Sequence, residues 1–451
     1  MPREATRRRR PLYYGWIIFL MSVVTYFFMY GLRYAMGVFF VPLQADFGWT
    51  KAMTTGAVTV FFWVYGVFGV FVGRLLDAIG VRKAILVGGL LLGVGGMLSS
   101  FVQDLWQLYV TWGVIAATGA SILYILPNMI LTKFFLRDRG KAVGWSSIGI
   151  SLGQAVLVPL AAWFIAGYGW RVTYLVLGGL VTVFVCGLGY FIFRESPEAM
   201  GLEVDGGKLP PLDPAVTPTK DWTVREAAAT RVYKLINLSY FFTVGVIISL
   251  LTFVVPHIIG LGIDPLLASS AFGIIGLMSA AGSFIFGVVS DRIGRKRTII
   301  VCATGIAASI FVSTSLPPNI LLLYAWATMY GLTYGGLPEQ YTAIVADYFG
   351  VKYGPSLFGI IFFAGALGGG LLPLIGGYLA DLTGNYYTTL LFLGVGMCMA
   401  IATMLPVQSP TPQDASTPAS HADAQHPSSD ANDATDRNPD DMHVSREKQQ
   451  T

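Results

Sequence analysis

Apolar residues run through this chain in blocks about twenty positions long, separated by short polar punctuation. A helix needs about 20 mostly apolar residues to cross a bilayer. By that measure the pattern predicts twelve spans: 14–43, 53–76, 84–102, 106–135, 141–166, 172–193, 233–260, 267–290, 298–315, 319–348, 354–380 and 387–406. The turns between them carry Gly, Pro, Asp and Asn, as at Phe47-Gly48-Trp49 and Leu316-Pro317-Pro318-Asn319. Two segments break the rhythm. Residues 194–232 are polar and hold Pro197, Pro210, Pro211, Pro214 and Pro218, which reads as a loop between two six-helix halves. From residue 408 the chain has almost no large apolar side chains, so 408–451 is expected to be a disordered tail.

Composition agrees with a bilayer as solvent. Charged residues are 12% of the 451 and hydrophobic ones 54%, against roughly 25% charged in a soluble domain. The basic residues are unevenly placed. Arg7–Arg10, Arg82, Lys83, Arg137, Arg139, Lys141, the 194–234 segment, Arg292–Arg297 and Lys352 fall on one side of the predicted topology, and only Lys51 and Arg171 on the other. The positive-inside rule then makes both termini cytoplasmic. The expected organisation is a basic N-terminus (1–12), a six-helix bundle (13–193), a cytoplasmic loop (194–232), a second six-helix bundle (233–407) and the tail, in the cytoplasmic (inner) membrane. The apolar run after Arg10 is too long for a signal peptide's h-region and reads as the first span. Cys186, Cys302 and Cys398 lie inside apolar runs and are expected to be buried thiols, neither a disulfide framework nor a metal site.

The two bundles repeat one another. Gly73-Arg74-Leu75-Leu76-Asp77-Ala78-Ile79-Gly80-Val81-Arg82-Lys83 returns from residue 287 as Gly-Val-Val-Ser-Asp-Arg-Ile-Gly-Arg-Lys-Arg, an offset of 214. That offset aligns Asp77 with Asp291, Gly31 with Gly245, Pro42 with Pro256, Trp112 with Trp326 and Pro159 with Pro373. An Asp ending one helix, a Gly reversing the chain and basic residues at the membrane face describe a very short polar turn. Asp77, Arg82 and Lys83, with Asp291, Lys296 and Arg297, are expected to act as gating charges that hold neighbouring helix ends together in one state and release them in another. Parallel repeats of this kind place a substrate site between the halves near mid-membrane.

Residues that break the repeat are candidates for that site. Arg33 lies inside span one and its repeat partner is Ile247. A charge at the bilayer centre costs at least about 2.5–3.5 kcal/mol, so Arg33 needs a cavity, an anion or a partner. Tyr26 and Tyr30 share its helical face, and a guanidinium fork with two hydroxyls suits a carboxylate. Tyr124, Asn128, Tyr330 and Tyr334 complete the predicted substrate set; Pro127 and Gln154 offer weaker polar features, and lone amides commonly bond a neighbouring helix. Glu339, whose partner is Ile125, and His257 are the candidate proton carriers. The glycines of 144–153 and 359–370 are expected to pack helices closely.

The paired turns resemble the signature loop of the major facilitator superfamily. Tyr14-Gly15-Trp16, Gly37-Val38-Phe39-Phe40, Phe47-Gly48-Trp49, Gly169-Trp170-Arg171 and Ser196-Pro197-Glu198-Ala199-Met200-Gly201-Leu202 resemble, more narrowly, the bacterial branch of the monocarboxylate transporter family, and the oxalate:formate antiporter group is similar. The resemblance implies alternating access carrying a small organic anion such as lactate or pyruvate, often with a proton. It also implies a cationic residue late in span one, within one position of Arg33. The Asp and Arg that the family carries in span eight fall on Ser279 and Ser283, so both charges are missing. No nucleotide-binding loop, metal cluster or nucleophile–base pair is visible, so ATP-driven transport and an enzyme are not expected. The expected partners are the anion, protons and the lipid bilayer, with no cofactor, metal or nucleic acid, for a chain acting as a monomer. Efflux of an amphipathic compound, anion exchange and a ligand sensor stay open as alternatives.

Overall fold

The computed structural model describes residues 13–136, 139–204, 222–315, 317, 319–350 and 353–409, with backbone alone at 139, 140 and 355. The arginine cluster before Tyr13, Arg137, the Arg139 side chain, Lys352, residues 205–221 of the 194–232 loop and the tail from residue 410 lie outside the described residues.

Every regular element among the described residues is helical. The N-terminal repeat contains α1 (Tyr14–Phe47), α2 (Lys51–Ile79), α3 (Val81–Leu98), α4 (Leu105–Leu108), a π-helical stretch Tyr109–Ala116 running into α5 (Ala117–Phe134), α6 (Arg139–Ser146), α7 (Ile148–Val181) and α8 (Gly189–Ile192). A short linker helix, α9 (Val224–Ala229), precedes the C-terminal repeat. That repeat comprises α10 (Arg231–Gly260), α11 (Pro265–Ile293), α12 (Arg295–Ser313), α13 (Ile320–Gly335), α14 (Pro338–Phe349), α15 (Gly354–Thr383) and α16 (Tyr387–Met404).

Among the described residues, eleven stretches are long and apolar enough to span a membrane. The difference from the twelve predicted lies at 141–166 and 172–193, which run together as Lys141–Ile192. Gly169 interrupts this run at φ 80, ψ 166, outside the helical region. The predicted span 319–348 is one stretch but two helices, because the regular helical ladder gives way between Gly335 and Pro338 to tighter bonds such as Leu337 N–H to the Tyr334 carbonyl. Proline at the first position of α14 supplies no N–H to continue the ladder.

Polar side chains fix the helix starts. Thr50 accepts the Met53 N–H at the head of α2, Asp264 accepts Leu266 and Leu267 at α11, and Asn319 accepts Leu321 and Leu322 at α13. The two predicted reversals turn on Gly80 (φ 76) and Gly294 (φ 89), a region that side chains with a Cβ rarely enter. Within each repeat α1 packs on α7 and α10 on α15; between the repeats α2 packs on α15 and α7 on α11. Glycines make these approaches close: a Cβ at Gly153 would sit 2.2 Å from the Phe27 carbonyl, and one at Gly368 would sit 2.1 Å from that of Phe241. Gly144 and Gly359 correct the packing expectation, since a Cβ at either would meet nothing within 4 Å. Cys186 and Cys302 are buried as expected; Cys398 is exposed on α16, because an apolar run on a bundle's rim turns part of its surface outward.

Candidate functional site

The site begins with a charge that the fold buries. Arg33 sits in the middle of the most enclosed part of α1, where every residue from Met29 to Phe40 is buried, and is itself 9% exposed. Its guanidinium carbon lies 4.5 Å from the Phe62 ring centroid, 5.0 Å from Tyr65, 5.1 Å from Tyr30 and 5.7 Å from both Tyr34 and Phe61. Ring faces attract a cation, by about 2 kcal/mol or more where water is excluded. These rings belong to α1 and α2 alone, so the charge is caged by its own repeat. Among the described residues no carboxylate is within ion-pair distance of Arg33, and its Nε has no hydrogen-bond partner. The guanidinium is caged by rings and has no carboxylate opposite its charge among the described residues.

Beside it lies a cavity of about 30 Å³, lined by Arg33, Phe61, Phe62, Trp112, Leu251 and Thr252. One water needs about 10–15 Å³ on this measure, so the space suits a carboxylate head or two waters and no bulky tail. The opposite repeat closes over the site through Tyr334, whose hydroxyl lies 3.1 Å from that of Tyr34. Tyr334 is held from behind by a column of rings on α13: Trp326, Tyr330 and Tyr334 stack at 5.9 Å intervals, and Trp326 Nε1 donates to the Ser309 carbonyl. A second aromatic path leads away from Arg33: Tyr65 lies 5.9 Å from Tyr124 and 5.4 Å from Phe362, and Tyr124 stacks on Phe362 at 5.4 Å. Phe362 belongs to α15, so this path also bridges the repeats.

Of the predicted substrate residues, the structure gathers Arg33, Tyr30 and Tyr124, with Tyr334 arriving through Tyr34. Tyr26 stands back: its hydroxyl donates to the Tyr124 carbonyl at 3.0 Å, and its ring touches Tyr30 and Tyr124 rather than the guanidinium. Asn128 bonds the Tyr124 carbonyl on its own helix at 3.4 Å. Tyr330 is fully buried with its hydroxyl unpartnered, and so are both polar atoms of the Gln154 amide. Glu339 is an exposed carboxylate in the first turn of α14, within electrostatic reach of Tyr124 and Tyr240. His257 lies elsewhere: its Nε2 is 3.4 Å from the Ser313 carbonyl and its ring packs edge-on to Tyr386.

The two repeated loops, expected to gate, differ from one another. Arg295 pairs with Asp291 at 2.8 Å and with Asp347 at 3.5 Å, and also bonds the Ser290 hydroxyl. Lys296 donates to the Leu405 carbonyl at 2.6 Å, and Arg297 is exposed. Asp77, Arg82 and Lys83 are exposed, and among the described residues none makes an ion pair. The sequence reading missed Tyr34, Phe61, Phe62, Tyr65, Phe362 and Arg295. Tyr34 was findable, being four positions after Tyr30 and next to Arg33. The α2 rings and Phe362 carried no local signal, because nothing in the sequence says which helix faces α1.

The sequence profile of the Major Facilitator Superfamily matches residues 22–282 and 235–430. Monocarboxylate transporter 12-B of Danio rerio is 26% identical over 415 residues, covering 85% of each chain. Monocarboxylate transporter 13 of Bos taurus is 26% identical over 422 residues, covering 90% of this chain and 94% of its own. Among solved structures, a bacterial homolog of the human lysosomal transporter Spinster, in an inward-facing and occupied conformation, superposes with a TM-score of 0.70 at 14% identity, over 91% of this chain and all of that one. That likeness concerns the fold. A doubled helical repeat, a buried charge between the halves and a profile match over most of the chain agree: the chain belongs to the Major Facilitator Superfamily and is a membrane transporter similar to the monocarboxylate transporters.

Proposed function

We propose that the chain carries a small monocarboxylate across the cytoplasmic membrane by alternating access, with Arg33 holding the carboxylate. The observation that carries this reading is the uncompensated guanidinium in its aromatic cage. One fixed positive charge, with no second charge in the lining, matches one negative charge on a short body; a second carboxylate would be buried without a charged partner. The similarity to proteins named monocarboxylate transporters supports the same class. The Lys141–Ile192 run of 52 residues is about 78 Å of helix at 1.5 Å per residue, too long for a core of about 30 Å. Two crossings joined at Gly169 account for it. Twelve crossings then put both termini on the face that carries Arg82, Lys83 and Arg295–Arg297, the cytoplasmic one by the positive-inside rule.

Glu339 supports proton coupling as a second arm of this reading, since an exposed carboxylate within a spanning stretch can exchange protons with one side at a time. The test is uptake of labelled lactate, pyruvate, formate and oxalate into proteoliposomes. Stimulation by an inward proton gradient, lost in Glu339→Gln, is the expected result for symport. Uptake only against preloaded acid indicates exchange. No uptake of any acid overturns the carboxylate reading and leaves efflux of an amphipathic compound in its place.

A further inference from the structure

The repeats touch along two seams, α2 with α15 and α7 with α11, and they are fastened differently. At the Lys51 end of the first seam, Asp381 of α15 reaches across to the opposite repeat. Its two carboxylate oxygens accept the backbone N–H groups of Lys51 and Ala52, both at 2.8 Å. The Lys51 ammonium donates in return to the Ala380 carbonyl at 3.1 Å and lies 4.7 Å from the Tyr386 ring centroid. About two turns further along α2, Thr59 donates to the Gly370 carbonyl at 2.8 Å. Backbones meet between these contacts, for a Cβ on Gly377 would stand 3.1 Å from the Ala52 Cα. The first turn of α2 thus has its N–H groups divided between repeats: Thr50 of its own takes Met53, and Asp381 of the other takes Lys51 and Ala52. Bonds from N–H donors to an ionised carboxylate are shorter and stronger than neutral ones.

The second seam has no such fastening. The 214-residue offset maps Lys51 and Ala52 onto Pro265 and Leu266, where α11 is capped by Asp264 of its own repeat. The position equivalent to Asp381 is Gly167, which has no side chain to offer. The α7–α11 seam is held by a hydroxyl pair, Ser151 to Ser279 at 2.8 Å, and by the close approach of Gly276 to Ser151. This neutral bond joins the first turn of α7 to the middle of α11 through two short side chains, and either can rotate to another acceptor.

We propose that Asp381 is a gating residue of the transport cycle: its clamp on α2 holds the Lys51 end shut, and that end opens only when Lys51 and Ala52 leave the carboxylate. This rests on the alternating-access reading, in which opening one end closes the other. Opening breaks two charge-assisted N–H bonds, so the closed state keeps an advantage that weakens when the charge is removed and is lost with the side chain. Asp381→Ala therefore shifts the resting population toward the form open at the Lys51 end.

The test follows two cysteine reporters on α2, each in the full chain with Cys186, Cys302 and Cys398 replaced by serine. Thr55→Cys lies under the clamp, 1% exposed and within reach of Gly377. Gly69→Cys lies toward the other end of the helix, where a Cβ would meet Ile125 and Phe362 at ordinary distances of 3.6 and 3.7 Å. Labelling by a membrane-impermeant maleimide in proteoliposomes is compared with and without Asp381→Ala, with no acid present. The expected result is a rise of about fivefold or more at Thr55→Cys together with a fall at Gly69→Cys, and Asp381→Asn, which keeps the shape and loses the charge, moves both in the same directions by less. A rise at both positions means local loosening and overturns the proposal, as does any pattern without the opposed changes. Labelling needs no substrate, so failure of acid uptake would leave this result standing, and unchanged labelling would leave the carboxylate reading standing.

Discussion

α1 and α10 occupy equivalent places in the repeat, and they meet the cavity with opposite chemistry. On α1 stand Tyr30, Arg33 and Tyr34; the offset places Val244, Ile247 and Ile248 at those positions on α10. The same holds one helix on, where Phe61, Phe62 and Tyr65 of α2 answer to Ile275, Gly276 and Ser279 of α11. The scaffold is doubled, but the charge and its aromatic cage are built once, in the N-terminal repeat. A scaffold can be duplicated freely because apolar burial needs volume and little else. A buried charge needs every neighbour to cooperate, and two such charges facing each other would repel across a dry cavity.

That contrast breaks most severely at its single charge. Arg33→Ala is expected to lower carboxylate uptake by roughly 100-fold with a folded protein, the loss of a charge-assisted bond worth about 1.5–3 kcal/mol; initial rates in proteoliposomes beside a gel-filtration profile check it. Installing the charge on the other side, Ile247→Arg, is expected to destabilise by about 3 kcal/mol, read from thermal unfolding, because Ile247 is 4% exposed among apolar neighbours. Tolerance of that arginine would mean that the C-terminal repeat offers an equally polar lining. Removing one hydroxyl from the cage sharpens the comparison: Tyr65→Phe is expected to leave stability within about 0.5 kcal/mol, since the hydroxyl has no protein partner, while raising the half-saturating acid concentration several-fold. His257→Gln is expected to change uptake less than about twofold, because its contacts, to the Ser313 carbonyl at 3.4 Å and to the edge of the Tyr386 ring, lie away from the cage. A larger loss would move the proton arm from Glu339 to His257.

Much of this was legible in the chain. Apolar run length predicts the spans, since a bilayer core imposes one length on every crossing, and the offset predicts the repeat. Arg33 stood out for the same reason it matters, a charge where hydrocarbon makes charges costly. What surrounds Arg33 was not legible. Phe61, Phe62 and Tyr65 read as ordinary members of an apolar helix, and only packing turns that face toward α1. Arg295 hid behind the repeat itself: its counterpart is Val81, so comparing the loops position by position drew attention to Lys296 and Arg297 instead. The apolar runs 141–166 and 172–193 predict two spans where the structure has one continuous stretch, and Gly169 marks where the helical path breaks.

Ser279 has an implication for the history open to this protein. Its side chain is 3% exposed and bonded to Ser151, and a Cβ on Gly335 would lie 1.9 Å from its carbonyl oxygen. An acidic side chain at position 279 would have to displace Ser151 and would find no room to retreat toward α13. A charge at position 279 is therefore not one mutational step away, because Ser151 has to change with it.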